Sequence, residues 1–218
     1  MKIALVQDFL CAVGGSERIF QYLCEEFQEA DLYTLAFRSK KTLPYFANKK
    51  IHTTWLNPFI PNAEAFRWAF APATFVMQRL DLSHYDVVLT SSATTAKYVK
   101  TAPGKQLCYC YIPTRAIWHT EQYFGSSLKK YCIAPFLSYL KRRDYQNAQQ
   151  IGRFIAISEL SKRYIQEYYN RDADVIPCPI ETDKFKPNPQ KEEHYLLISR
   201  LENWKKVDYA IAAFNQLG

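Results

Sequence analysis

Four stretches of the chain combine residue types that can bind a ligand or neutralise charge. In Gly14-Gly15-Ser16-Glu17, two missing side chains let a phosphate or a sugar approach the backbone, and the first amides of a following helix can cradle an anion. A plain tight turn requires Gly-Gly equally. The spacing G-x-G-x-x-G is absent, so a dinucleotide-binding fingerprint with its acidic ribose ligand has little support. Thr90-Ser91-Ser92-Ala93-Thr94-Thr95 is dense in hydroxyls that suit sugar hydroxyls or, more simply, the capping of a helix. Tyr111 to Phe124 places Arg115, Trp118, His119, Glu121 and Tyr123 beside Pro113, a mixture suited to carbohydrate stacking and phosphate contact. In Ser199-Arg200-Leu201-Glu202-Asn203-Trp204-Lys205-Lys206, Arg200 and Lys205 could neutralise a diphosphate leaving group as its charge builds in a transition state. A solvated basic turn is the plainer account of that stretch.

Positioning such loops takes strands that end directly before them. Lys2 to Val6 reads as a buried strand, followed by the glycine turn and a helix with Ile19, Leu23 and Phe27 on one stripe. Asp31–Leu35, Ile51–Trp55, Tyr85–Thr90, Gln106–Tyr111 and Phe154–Ile157 read as further strands, with helical stretches between them. Residues 127–149 form a long basic amphipathic helix, and Ser158 caps another. Strands alternating with helices predict an α/β fold, a Rossmann-like parallel sheet flanked by helices. In such sheets ligands bind outside the carboxyl ends of the strands, where the four loops fall. The expected division is 1–180 as an amino-terminal domain, 181–194 as a linker with Pro187 and Pro189, and 195–218 as the first strand and helix of a second domain. A lone strand and helix cannot bury their apolar faces, so a truncated reading of a longer protein is expected.

With 218 residues, 48% apolar and 16% aromatic, the chain can build a sizeable core and is not disordered. A formal charge of +7 and a pI near 9.0 favour an anionic partner: a phosphate-bearing small molecule, an anionic lipid surface or nucleic acid. No apolar run is long enough for a transmembrane helix, and Gln7 and Asp8 interrupt the first strand too soon for a signal peptide. The six cysteines at 11, 24, 108, 110, 132 and 178 are scattered, as reduced cytoplasmic thiols are. Cys108 and Cys110 share one strand face with no second Cys or His pair nearby, so they read as buried apolar residues rather than metal ligands.

Leu197-Ile198-Ser199-Arg200-Leu201, continuing through Lys205-Lys206-Val207-Asp208 to Ala213-Phe214-Asn215, closely resembles the donor-phosphate loop of retaining glycosyltransferases of family 4. Val6-Gln7-Asp8-Phe9-Leu10, Gly14-Gly15-Ser16-Glu17-Arg18 and Ala30 to Leu35 are similar to that family's opening, especially its mannosyltransferases of bacterial surface-polysaccharide assembly. The resemblance runs on through Ser91-Ser92, Tyr109-Cys110 with Pro113, Arg115 and Trp118, and Phe154 to Ser158. It implies a GT-B fold of two facing Rossmann-like domains, the acceptor held mainly by the first and the nucleotide sugar mainly by the second, with no catalytic metal and no cofactor. It also implies Arg200, Lys205, Gly14 and Gly15 as diphosphate contacts, and Ser91, Ser92, Arg115, Trp118 and His119 as acceptor-side candidates. Where similar sequences often carry His, this chain has Ala93 and Tyr111, so no acid/base role carries over to those positions. The family's paired-glutamate segment would lie beyond Gly218, which leaves the donor site incomplete and the fragment itself inactive.

The implied partners are a nucleotide-diphosphate sugar, with guanosine-diphosphate mannose favoured by the resemblance, and a glycan or lipid-linked acceptor, without nucleic acid. Between Trp55 and Leu82, Leu56, Phe59, Ile60, Phe66, Trp68, Phe70, Phe75, Val76 and Met77 accompany Arg67 and Arg79. Together with Lys129-Lys130 and Lys141-Arg142-Arg143, they suit peripheral contact with an anionic membrane at its cytoplasmic face, or equally packing within the first domain. Competing readings are a non-catalytic basic module that binds carbohydrate or nucleic acid, and an epimerase or phosphorylase of the same fold.

Overall fold

The structure is a computed structural model of the chain. It describes residues 1–120, 129–187, 189–190, 193–199, 201 and 205–217, without the side chains of 129–133 and 217. The chain forms two compact units, Met1–Pro179 and Ile180–Gly218.

The first unit is a sheet of seven parallel strands in the order β3-β2-β1-β4-β5-β6-β7. The strands are β1 (Ile3–Gln7), β2 (Asp31–Thr34), β3 (Ile51–Thr53), β4 (Val87–Ser92), β5 (Gln106–Cys110), β6 (Arg153–Ala156) and β7 (Ala173–Val175). Between them run α1 (Gly15–Glu26), α2 (Ala63–Trp68), α3 (Phe70–Arg79), α4 (Arg115–Trp118), α5 (Lys129–Gln150) and α6 (Glu159–Tyr169). The chain winds outward from β1 to β3, then returns to the other side of β1 with β4. Strand order therefore reverses between β1 and β4, and the loops that follow these two strands diverge there.

Side-chain alternation gives the sheet two apolar faces. Leu5, Leu32, Leu89 and Tyr109 pack with Ile19, Phe20 and Cys24 of α1 on one face. Ala4, Val6 and Val88 pack against Ala73, Val76 and Met77 of α3 on the other. Cys108 and Cys110 lie in a third cluster with Phe154, Ile165 and Tyr169. Among the described residues no three His, Cys, Asp or Glu side chains converge as a metal ligand set. Ser158 caps α6 by accepting from the Ser161 amide at 3.2 Å, and Asn170 ends the helix in the left-handed region at φ 50.

Three local expectations shift. Ser91 and Ser92, expected in a loop, are the last residues of β4, where they pair with Tyr109 and Cys110. Thr54 and Trp55 lie outside β3. The three-residue edge strand β7, which pairs with β6, has too few residues to announce a period.

The second unit contains α7 (Val207–Leu217), the helix expected of a second domain. Among the described residues, 195–199 pair with no strand; Tyr195, Leu196 and Ile198 are each at least 74% exposed. A strand exists through its ladder, which these five residues lack.

Candidate functional site

At the switch point between β1 and β4, the divergent loops are joined by one carboxylate. Asp8, 4% exposed, directly follows β1 and reaches across to the segment after β4. Its Oδ2 accepts from the amides of Ala93 at 2.7 Å and Thr94 at 3.0 Å. Its Oδ1 accepts from the amides of Thr95 at 2.8 Å and Ala96 at 2.7 Å, and from Ser92 Oγ at 3.1 Å. Four consecutive amides converging on an anion form a concave nest of the kind that binds phosphate. Here the protein supplies the anion itself, so the amides after β4 are committed to holding the floor of the crevice.

Ser91 and Ser92 are both buried, at 0% and 1% exposure. Ser91 Oγ is 2.7 Å from Tyr111 Oη, and Ser92 Oγ accepts from the Lys97 amide at 3.3 Å while donating to Asp8. Tyr111 Oη also donates to the Ser16 carbonyl at 3.2 Å. This phenol ties the ends of β4 and β5 to the first turn of α1, and burial pushes its pKa far above the usual tyrosine value, so it remains a donor.

The glycine turn stands above this floor. Gly14 is the N-cap of α1 in extended backbone, with no side-chain cap. A Cβ on Gly14 would lie 2.9 Å from Glu17 Oε2, whereas one on Gly15 would meet nothing within 4 Å among the described residues. Gly14 thus makes room for the Glu17 carboxyl, and exposed Gly15 keeps the approach to the helix amides open. Glu17 is 3% exposed and accepts from Ser16 Oγ at 3.0 Å. Burial raises its pKa, against its own amide and Ser16, which lower it; the Asp8 charge raises it further.

Trp118 and His119 occupy a different cluster. Trp118 stacks on Tyr168 at 4.7 Å and 7°, and Tyr168 stacks on Tyr164 at 5.4 Å and 8°. His119 sits edge-on to Tyr164 at 4.8 Å. Trp118 Nε1 donates to Asp144 Oδ2 at 2.6 Å, which anchors α4 to α5. Arg115, the first residue of α4, is exposed.

Beneath lies a buried ion pair, Lys97 Nζ to Asp144 Oδ1 at 3.0 Å, with side-chain exposures of 1% and 0%. Lys97 also donates to Thr114 Oγ1 and to Tyr169 Oη, each at 2.8 Å. Asp144 accepts from Tyr98 Oη at 2.5 Å and Tyr169 Oη at 2.8 Å. Burial, then the Asp144 charge, pushes both phenols well above the usual tyrosine range, so they act as donors.

Of the expected site residues, Gly14, Gly15, Ser91 and Ser92 therefore meet at the switch point, while Trp118 and His119 belong to the α4–α6 aromatic cluster. Lys205 is exposed in the second unit, next to Lys206, which has φ 53 and holds its ammonium 4.7 Å over Tyr209. Arg200, Glu121, Tyr123 and Trp204 lie outside the described residues. Reading by motif missed the roles of Asp8, Glu17, Lys97 and Asp144. Asp144 had a signal: Leu140, Asp144, Ala148 and Ile151 fall at helical spacing and all are buried, so an acid stands on an apolar stripe.

A family model described as Glycosyltransferase Family 4 matches residues 13–184. No curated protein matches the chain.

Proposed function

The chain belongs to glycosyltransferase family 4, and from that premise we propose that it serves transfer of a hexose from a nucleotide-diphosphate sugar to a glycan or lipid-linked acceptor, with retention. The observation that carries this reading is the β1/β4 switch point of a Rossmann-like parallel sheet, where Asp8 joins the two diverging loops and exposed Gly15 opens α1. In the proposal, the amides at Gly14 and Gly15 are a diphosphate contact of the first unit, and Arg200 and Lys205 are diphosphate-binding cations of the second. Arg115 is the exposed acceptor-side candidate; the burial of Ser91 and Ser92 and the stacking of Trp118 and His119 favour support of the site over direct contact. The resemblance favours mannose carried on guanosine diphosphate.

A thermal-shift screen of a protein that carries both Rossmann-like domains of the fold tests the donor. Guanosine-diphosphate mannose should raise the melting temperature, since a ligand at one hundred times its dissociation constant stabilises by about 2.7 kcal/mol. Lys205→Ala should shrink that shift. A uridine-diphosphate sugar shifting the protein instead would reassign the base, and no shift with any nucleotide sugar would defeat the reading.

Peripheral contact with an anionic membrane is the second part of the proposal. Trp55, Phe59, Trp68 and Phe75 are 65%, 68%, 86% and 44% exposed, while Leu56, Ile60, Phe66, Val76 and Met77 from the same stretch are buried. The packing and membrane readings thus divide the stretch between them. Of the 141–143 cluster, Arg142 is exposed, whereas Lys141 lies over the Trp118 ring at 5.5 Å and Arg143 bonds Gln78 Oε1 at 2.5 Å. Among the described residues no helix is long and apolar enough to cross a membrane. The protein should sediment with vesicles rich in phosphatidylserine and not with phosphatidylcholine vesicles, and Phe59→Ala with Trp68→Ala should weaken that recovery. Equal recovery in both supernatants counts against membrane contact.

A further inference from the structure

Glu17 is a buried carboxyl at the mouth of the crevice that the reading above leaves without a role. It lies in the first turn of α1, where the leading amides have no intrahelical partner. Its Oε2 sits over Gly14, close enough that a methyl group there would collide with it. Burial and the neighbouring Asp8 both oppose its ionised form.

The groups around it come from two segments besides its own helix. Asp8 acts on it from the segment after β1. Cys11, from that same segment, has a thiol that feels the Glu17 charge. Tyr111, from the end of β5, reaches the carbonyl of Ser16. Glu17's own amide and the Ser16 hydroxyl favour its ionised form, and among the described residues no cation contributes to its shift. An anion arriving at the Gly15 and Ser16 amides would therefore meet a second negative charge that only the Glu17 amide and the Ser16 hydroxyl offset.

A second observation concerns the sheet face that α1 covers. Gln7 is 1% exposed and stands in register with Thr34 and Ser91, so it shares their sheet face. That face carries Leu5 and Leu89 against α1, and Ser91 leads through Tyr111 to Ser16. Among the described residues, Gln7 Oε1 has no hydrogen-bond donor. The sheet face that α1 covers thus holds a buried acceptor short of a donor, which favours a proton on the groups around it.

We propose that Glu17 is a specificity-determining residue for the diphosphate: it takes up one proton from solvent when the Gly15 and Ser16 amides hold a phosphate oxygen, and the neutral carboxyl then donates to that oxygen. This rests on the placement of the diphosphate at the glycine turn proposed above. Binding is then linked to proton uptake, and a glutamine at this position, neutral and able to donate, reproduces the bound state at every pH.

Sulfate is a suitable probe because it does not titrate in the useful range. Its affinity is read from the amide resonances of Gly15 and Ser16 at constant ionic strength, at about pH 5 and about pH 7.5. The wild-type chain should bind about threefold to tenfold more tightly at the lower pH, one proton giving at most about tenfold per pH unit. Glu17→Gln should bind with the tighter affinity at both. A wild-type affinity that does not change with pH overturns the proposal, as does a Glu17→Gln chain that keeps the wild-type slope, since other groups would then be titrating. Absence of any sulfate response in both chains removes the phosphate from the glycine turn and this proposal with it, while the donor screen still stands as the separate test of the transferase reading.

Discussion

Asp144→Asn should destabilise the first unit by about 3–5 kcal/mol in urea denaturation, the range for removing one partner of a buried ion pair. The change leaves the Lys97 ammonium, at 1% side-chain exposure, without its counter-charge in a place water does not reach. It also weakens three further bonds at once, those from Tyr98, Tyr169 and Trp118. These donors come from the segment after β4, from α6 and from α4, so one carboxylate on α5 fastens three parts of the unit. Lys97→Met should cost a similar amount, because the Asp144 charge then stays buried with only neutral donors. The double change Lys97→Met with Asp144→Leu should cost clearly less than the sum, since neither charge remains to be desolvated. Single losses under about 1 kcal/mol, or additive ones, would mean that the pair does not hold the unit together.

The sheet was legible because its signal repeats. Each of β1, β2, β4, β5 and β6 carries two to four apolar residues within four to six positions beside a helical stripe, as strands of a parallel sheet buried on both faces do. The site was legible only in part. Gly14-Gly15 could be read because glycine constrains the backbone directly, and Ser158 because a cap acts within three residues. Asp8 and Ser92 could not, since their contact spans 84 positions and depends on which strands become neighbours. Trp118 and His119 fell inside a stretch with the right composition for a binding loop, yet composition does not say whether a ring faces a ligand or another ring. Their partners, Tyr164 and Tyr168, lie one helical turn apart on α6, and spacing alone does not reveal what they cover.

Asp8→Asn should lower stability by about 3 kcal/mol and, more tellingly, should release the amides of residues 93–96 in hydrogen exchange. Those four amides and the Ser92 hydroxyl all point at two carboxylate oxygens. An asparagine keeps one oxygen and turns an NH2 group toward donors, so about two buried amides lose an acceptor at roughly 1–3 kcal/mol each, and the rest lose their charge assistance. Ser92→Ala removes one donor and should cost only about 1 kcal/mol. The difference between the two variants separates the carboxylate's role from simple packing. If Asp8 is what joins the loops at the switch point, the Asn variant should also lose the stabilisation that nucleotide sugars give, because the end of β4 that carries Ser91 then loses its fixed position relative to Tyr111 and the first turn of α1. An Asp8→Asn chain whose 93–96 amides exchange as slowly as before would show that the segment after β4 holds its shape without the carboxylate, and the crevice floor would need another cause.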